Sequence, residues 1–121
     1  MDSILVSIKK QLGVEESYPQ FDPDIIVGIN TALGMLTQIG AGPSGGFSIS
    51  DSSAVWSDFI GNDRADLEFI KSYVYLKTKL LFDPPLSSAA IESIKELLKE
   101  LEFRISAAVD PGPESEESQN G

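Results

Sequence analysis

The stretch KSYVYLKTKLLFDPP, Lys71 to Pro85, decides the fold. It continues a run starting at Asn62 or Asp63 that reads as one helix to about Phe82. Leu67, Ile70, Val74 and Leu81 make one apolar stripe at helical spacing, and Phe69, Tyr73, Leu76 and Leu80 make a second. Two stripes on one helix leave little polar circumference, and a helix apolar nearly all round is a buried one. The expectation is therefore a central helix encased on both sides. Pro84 biases Asp83 away from helical geometry, and Pro85 lacks the amide that the next turn would need, so DPP forms a corner.

The flanking segments supply helices to pack against it. Asp2 or Ser3 caps a first helix in which Ile4, Leu5, Ile8 and Leu12 share a face, and Gly13 ends it. In FDPDIIVGINTALGMLTQIG, residues 21–40, Asp22 reads as the N-cap, Pro23 as the first helical residue, and Asp24 as a first-turn anion favoured by the helix dipole. Ile25, Ile29, Ala32 or Leu33, Leu36 and Ile39 form its stripe, with Gly40 as terminator. Gly28 and Gly34 each cost such a helix about 1 kcal/mol relative to alanine, which implies close approach by a neighbour.

GAGPSGGFSIS, residues 40–50, is too rich in glycine for a helix and reads as a long loop or ribbon reaching a neighbour. A short helix around Ala54 to Ile60, capped by Ser50, Asp51 or Ser52, carries the single tryptophan, Trp56, as a core residue. Ser87 or Ser88 caps the last helix, where Ile91, Ile94, Leu98, Leu101 and Ile105 recur at three and four as a helix-packing seam. Glu92, Lys95, Glu96, Lys99 and Glu100 form its solvated face. DPGPESEESQNG, residues 110–121, is acidic, free of apolar residues and full of helix breakers, and is expected to be disordered. The fold class is thus all-α: a bundle of four to five helices over residues 1–109, with a long loop after the second helix and an acidic tail at 110–121. Its core includes Ile29, Leu33, Leu67, Ile70, Tyr73, Val74, Leu80 and Leu81.

With 121 residues the chain suits one domain. It has no cysteine and no histidine, which removes thiol nucleophiles, disulfides, imidazole bases and the usual zinc ligands. A net charge of −10 argues against gripping a nucleic-acid backbone, although an acidic wall keeps passing DNA from adhering. No run reaches the length of a membrane span. The opening MDSILVSIKKQLG places its lysines after the apolar run, the reverse of a secretion signal, which points to the cytoplasm.

Chemistry is sparse. GAGPSGG spaces Gly40 and Gly45 like a phosphate-binding loop, but Gly46 and Phe47 occupy the positions where lysine and serine or threonine are needed. Asp22 with Asp24, and Asp58 with Asp63 and Asp66, match no cation loop and read as helix-end carboxylates. Tyr73 and Tyr75 lack the basic surroundings of base-stacking platforms and read as packing residues. No catalytic, cofactor or metal residue is expected.

The order of these features resembles the head-tail connector (adaptor) family of tailed bacteriophages. FDPDIIVGINTALGMLTQIG, GPSGGFSI, the WSDF around Trp56 and above all YVYLK and LLFDPP carry the likeness, over residues 1 to about 108. The extended tail beyond Val109 departs from the compact family pattern. The resemblance implies a structural, non-enzymatic virion protein of the neck, assembled in the host cytoplasm as a ring, commonly of twelve subunits. The ring docks on the portal protein, lets double-stranded DNA pass without specific binding, and presents its far side to a stopper or tail-completion protein. No cofactor and no membrane is implied. Carried onto this chain, Ile91, Ile94, Leu98, Leu101, Phe103, Arg104 and Ile105 are candidates for the portal contact. Pro43, Ser44, Phe47 and Ile49 are candidates for the contact with a neighbouring subunit or the next neck component. The alternative is a small cytoplasmic protein-binding module acting through its last helix.

Overall fold

A computed structural model describes residues 2–61 and 67–109. It contains five helices in order: α1, Ile4–Leu12; α2, Asp22–Gln38; α3, Trp56–Ile60; α4, Leu67–Phe82; and α5, Ser88–Val109. No strand occurs among the described residues. A single antiparallel bridge, Ser3 to Val55, pins the N-terminus to the start of α3, and Ile4 N–H donates to the Ala54 carbonyl at 3.0 Å. The acidic tail and the expected start of α4 at Asn62 or Asp63 lie outside the described residues.

Helix ends obey local chemistry. Ser3 Oγ accepts from Val6 N–H at 3.2 Å, and Gly13 closes α1 in the left-handed conformation at φ 82, which suits glycine. Ser87 Oγ accepts from Ala90 N–H at 3.0 Å, so Ser87 starts α5. Two caps differ from expectation. Phe21 occupies the α2 cap position and Asp22 is already helical, because the Asp22 carboxylate is drawn to Lys9 Nζ at 2.8 Å. Val55 precedes α3, and the Asp58 carboxylate accepts the Val55 N–H at 2.9 Å. Asp51 instead closes its own turn with Ser53, whose hydroxyl and amide hold the Asp51 carboxyl below its ordinary pKa.

α4 is the middle layer, with α2 on one side and α5 on the other, and α1 laid across the first pair. The five residues between α4 and α5 force the two helices antiparallel. At that corner the Asp83 N–H still donates to the Lys79 carbonyl at 2.8 Å before the prolines stop the ladder. Burial of apolar surface holds the layers together: Ile4 and Ile8 from α1, Ile25, Ile29, Leu33 and Leu36 from α2, Trp56 and Phe59 from α3, Ile70, Tyr73 and Val74 from α4, and Leu98 and Ile105 from α5. Each such side chain contributes about 1.5–3 kcal/mol, so α5, anchored by two fully buried residues along 22, is the most lightly held of the long helices.

The central helix is not encased. Only Ile70, Tyr73, Val74 and Thr78 are buried, Leu67 and Leu80 are half-buried against the core, and Leu81, expected in the core, is 53% exposed with Phe69 at 38%. Leu81, in the last turn of α4, borders an open hollow on the α2 side with Phe21, Val27 and Gly28. Phe69 faces outward because two helix neighbours cover only part of a cylinder.

Gly28 and Gly34 separate in the same way. Gly28 is buried where α2 crosses α4, and a Cβ there would lie 2.9 Å from Thr78 Cγ2 and 3.2 Å from Thr78 Cα. Around Gly34, no atom of another element among the described residues lies within 4 Å of that position. Gly28→Ala is therefore expected to destabilise by about 1–3 kcal/mol through overpacking, outweighing the gain in helix propensity. A urea midpoint unchanged or raised in that variant would show that the crossing has slack.

Candidate interaction surfaces

Carboxylates were the only residues with a catalytic or metal-binding reading, and two of them have structural partners. Asp22 pairs with Lys9 and Asp58 caps α3; Asp63 and Asp66 lie outside the described residues. Among the described residues no group of three or more acidic, histidine or cysteine side chains is placed to hold a metal ion. No helix among them is long and apolar enough to cross a membrane.

The candidates on α5 divide by face. Leu98 and Ile105 are buried at 5% and 0% exposure, so they are core residues and not contact residues, a correction to the sequence reading. Ile91, Ile94 and Leu101 are half-buried on the same stripe, and Ile94 and Leu101 pack against the core. Phe103 lies off that stripe and is 74% exposed. Arg104 is exposed beside it, with Nη2 2.9 Å from Glu100 Oε2 and its guanidinium 5.8 Å from the centre of the Phe69 ring. Of the seven, Phe103 and Arg104 are the ones presented outward.

The loop candidates divide as well. Pro43 and Ser44 are exposed at the tip. Phe47 is half-buried, its ring 5.6 Å from that of Phe59. Ile49 is buried at 5%, because the Asn30 side chain grips its backbone from both sides: Ile49 N–H donates to Asn30 Oδ1 at 2.8 Å, and Asn30 Nδ2 donates to the Ile49 carbonyl at 3.0 Å. Ile49 is thus a second correction. The far half of the loop is strapped to α2, and only its tip projects.

Three features escaped the sequence reading. Lys9 is 2% exposed and donates to the carbonyls of Glu16 at 2.9 Å and Tyr18 at 2.8 Å as well as pairing with Asp22. It lies four residues after Leu5, within the apolar stripe of α1, and that position was the available signal. Tyr73 is buried yet its hydroxyl donates to Glu102 Oε2 at 2.7 Å, tying α4 to α5. Burial first, then Glu102, raises the phenol pKa well above its ordinary 10.0. Finally, Phe69, Leu76, Leu97 and Leu101 line an open apolar groove of about 410 Å³ between α4 and α5.

The described architecture is thus an all-helical domain with apolar surface left uncovered on more than one side. A family model described as phage connector protein matches residues 4–112, nearly the whole chain. The chain belongs to the phage connector protein family. No curated protein and no solved structure matched it. Connector membership agrees with the resemblance carried by YVYLK and LLFDPP, and it makes surfaces for assembly the relevant functional features.

Proposed function

We propose that this connector protein is a structural component of a phage neck. In this reading copies of the chain form a ring that docks on the portal, extends the DNA channel and receives a stopper or tail-completion protein. The family match over residues 4–112 carries this reading, and the exposed apolar side chains of a 121-residue chain support it. Phe103 on α5 is the portal-facing candidate, while Arg104 beside it lines the groove between α4 and α5, and the Pro43–Ser44 tip is the candidate for the neighbouring subunit or the next neck component. The net charge of −10 suits a channel wall on which DNA must not stick. The protein would be made in the host cytoplasm and reside in the virion neck. The rival reading, a module that captures one protein with the apolar stripe of α5, is weakened because Leu98 and Ile105 of that stripe are spent on the core.

Light scattering and particle imaging test the reading. Mixed with portal rings, the wild-type chain is expected to add a ring of density below the portal; a chain that stays monomeric would overturn the proposal. Phe103→Asp, on an exposed position, is expected to leave thermal unfolding within about 0.5 kcal/mol of wild type while weakening portal docking about tenfold or more, as loss of an aromatic anchor does. Unchanged docking would remove Phe103 from the contact.

A further inference from the structure

We propose that the outer face of α2 and the groove between α4 and α5 are the two halves of one contact between copies of this chain. α2 of one copy seats in the groove of the next. The inference rests on the ring reading and specifies which surfaces close the ring.

The outer face of α2 is built unlike a solvated helix. Asp22 and Asp24 are its only charged residues in 17, and past them the exposed positions are Val27 at 63%, Thr31, Gly34, Met35 at 36% and, in the last turn, the uncharged Gln38. α5 covers its own exposed face with lysines and glutamates instead. Depletion of charge marks the core of protein interfaces. Gly34 is a separate observation. Its counterpart Gly28 is accounted for by Thr78, whereas Gly34 meets no other element among the described residues. A mid-helix glycine weakens the helix and allows another chain to approach its backbone closely. Here that approach comes from outside the subunit.

The groove has the complementary form. Phe69, Leu76, Leu97 and Leu101 line it, with Phe69 38% and Leu97 51% exposed, and Arg104 is the one cation on its wall among the described residues. Arg104 binds Glu100 through Nε and Nη2, which leaves the Nη1 side of its fork for a second carboxylate. Asp24, exposed at the head of a helix without cations, offers one.

Position selects a head-to-tail arrangement. Thr78 marks the side of α4 that meets α2; Phe69 lies nine residues earlier, about 180° around the helix at 3.6 residues per turn. Ridge and groove are therefore separate surfaces that look in different directions, so a two-fold pair would cover only one kind of surface. A head-to-tail contact covers both, and its repetition closes a ring when the rotation permits.

The absence of native cysteine makes the test direct. Thr31→Cys and Leu97→Cys are made singly, mixed, and treated with a short bismaleimide in the assembled state, alone and on portal rings. The expected result is a cross-linked dimer in the mixture only, and a ladder of multimers from the double variant. Self-linked dimers of either single variant would show a two-fold contact and overturn the inference. Rings imaged without the mixed cross-link would overturn it and leave the ring reading standing; no self-association under either condition would end both. Gly34→Leu supplies a readout independent of cysteine chemistry. It is expected to keep the helical spectrum and cooperative melting while raising the concentration for half-assembly about tenfold or more, and unchanged assembly in that variant would equally overturn the inference.

Discussion

Tyr73→Asp is expected to give a chain with no cooperative unfolding transition. Tyr73 is fully buried and its hydroxyl sits 2.7 Å from a Glu102 carboxylate oxygen. The substitution removes a large aromatic from the core, a loss of about 3–5 kcal/mol for aromatic truncation. It also places an unpaired carboxylate in the interior facing a second one, which adds several kcal/mol. Together these match or exceed the roughly 5–15 kcal/mol by which a domain is stable. Circular dichroism and urea titration provide the check, and a native-like transition would refute the position of Tyr73 between α4 and α5.

Tyr73→Phe separates the hydroxyl from the ring. It keeps the packing and removes one hydrogen bond to a charged acceptor, expected to cost about 1.5 kcal/mol, the low end for such bonds, because Glu102 is only half-buried and can turn to water. The same hydroxyl makes stability depend on alkaline pH. Its folded pKa lies above the ordinary 10.0, so its contribution is fully present below pH 10 and declines as pH rises from there toward the folded value. The wild type is expected to lose urea resistance above pH 10 more steeply than Tyr73→Phe. Parallel pH profiles for the two proteins would place the titration elsewhere.

The features legible in the sequence were those set within a few residues. Ser3 and Ser87 cap because their hydroxyls reach amides three positions on, and Gly13 ends α1 because a left-handed residue is needed there. Apolar spacing likewise located α2, α4 and α5. Spacing reports the direction of a side chain and not what stands opposite it. Hence both stripes of α4 looked equally buried, although Tyr73 meets α5 while Phe69 on the same stripe faces outward. Leu98 and Phe103 were grouped as contacts for the same reason, although they point to different sides of α5. Ile49 had no periodic signal at all, because its burial depends on Asn30, nineteen residues earlier in the chain. Gly28 and Gly34 gave identical local signals, and only the path of α4 past one of them distinguishes their roles.

The connection from α1 to α2 shows the same dependence on distant partners and carries the second large effect. Lys9→Met is expected to destabilise the domain by about 3 kcal/mol, the lower end of the cost of removing one partner from a buried ion pair. Its ammonium donates to the Glu16 and Tyr18 carbonyls and pairs with the Asp22 carboxylate within 2.9 Å, so two hydrogen bonds and an ion pair are lost together. Asp22 retains 28% exposure and is partly rescued by water, which is why the upper end is not reached. Methionine keeps the apolar length of the stem, so loss of packing contributes little. Lys9→Arg is expected not to restore the wild-type midpoint, because a planar guanidinium does not reproduce three contacts converging on one nitrogen in a closed site. Salt should discriminate further. A buried pair is weakly screened, so the gap between wild type and Lys9→Met is expected to persist at about 1 M salt, whereas an exposed pair would lose its contribution. Urea midpoints at low and high salt decide it, and a gap that vanishes with salt would place Lys9 at the surface.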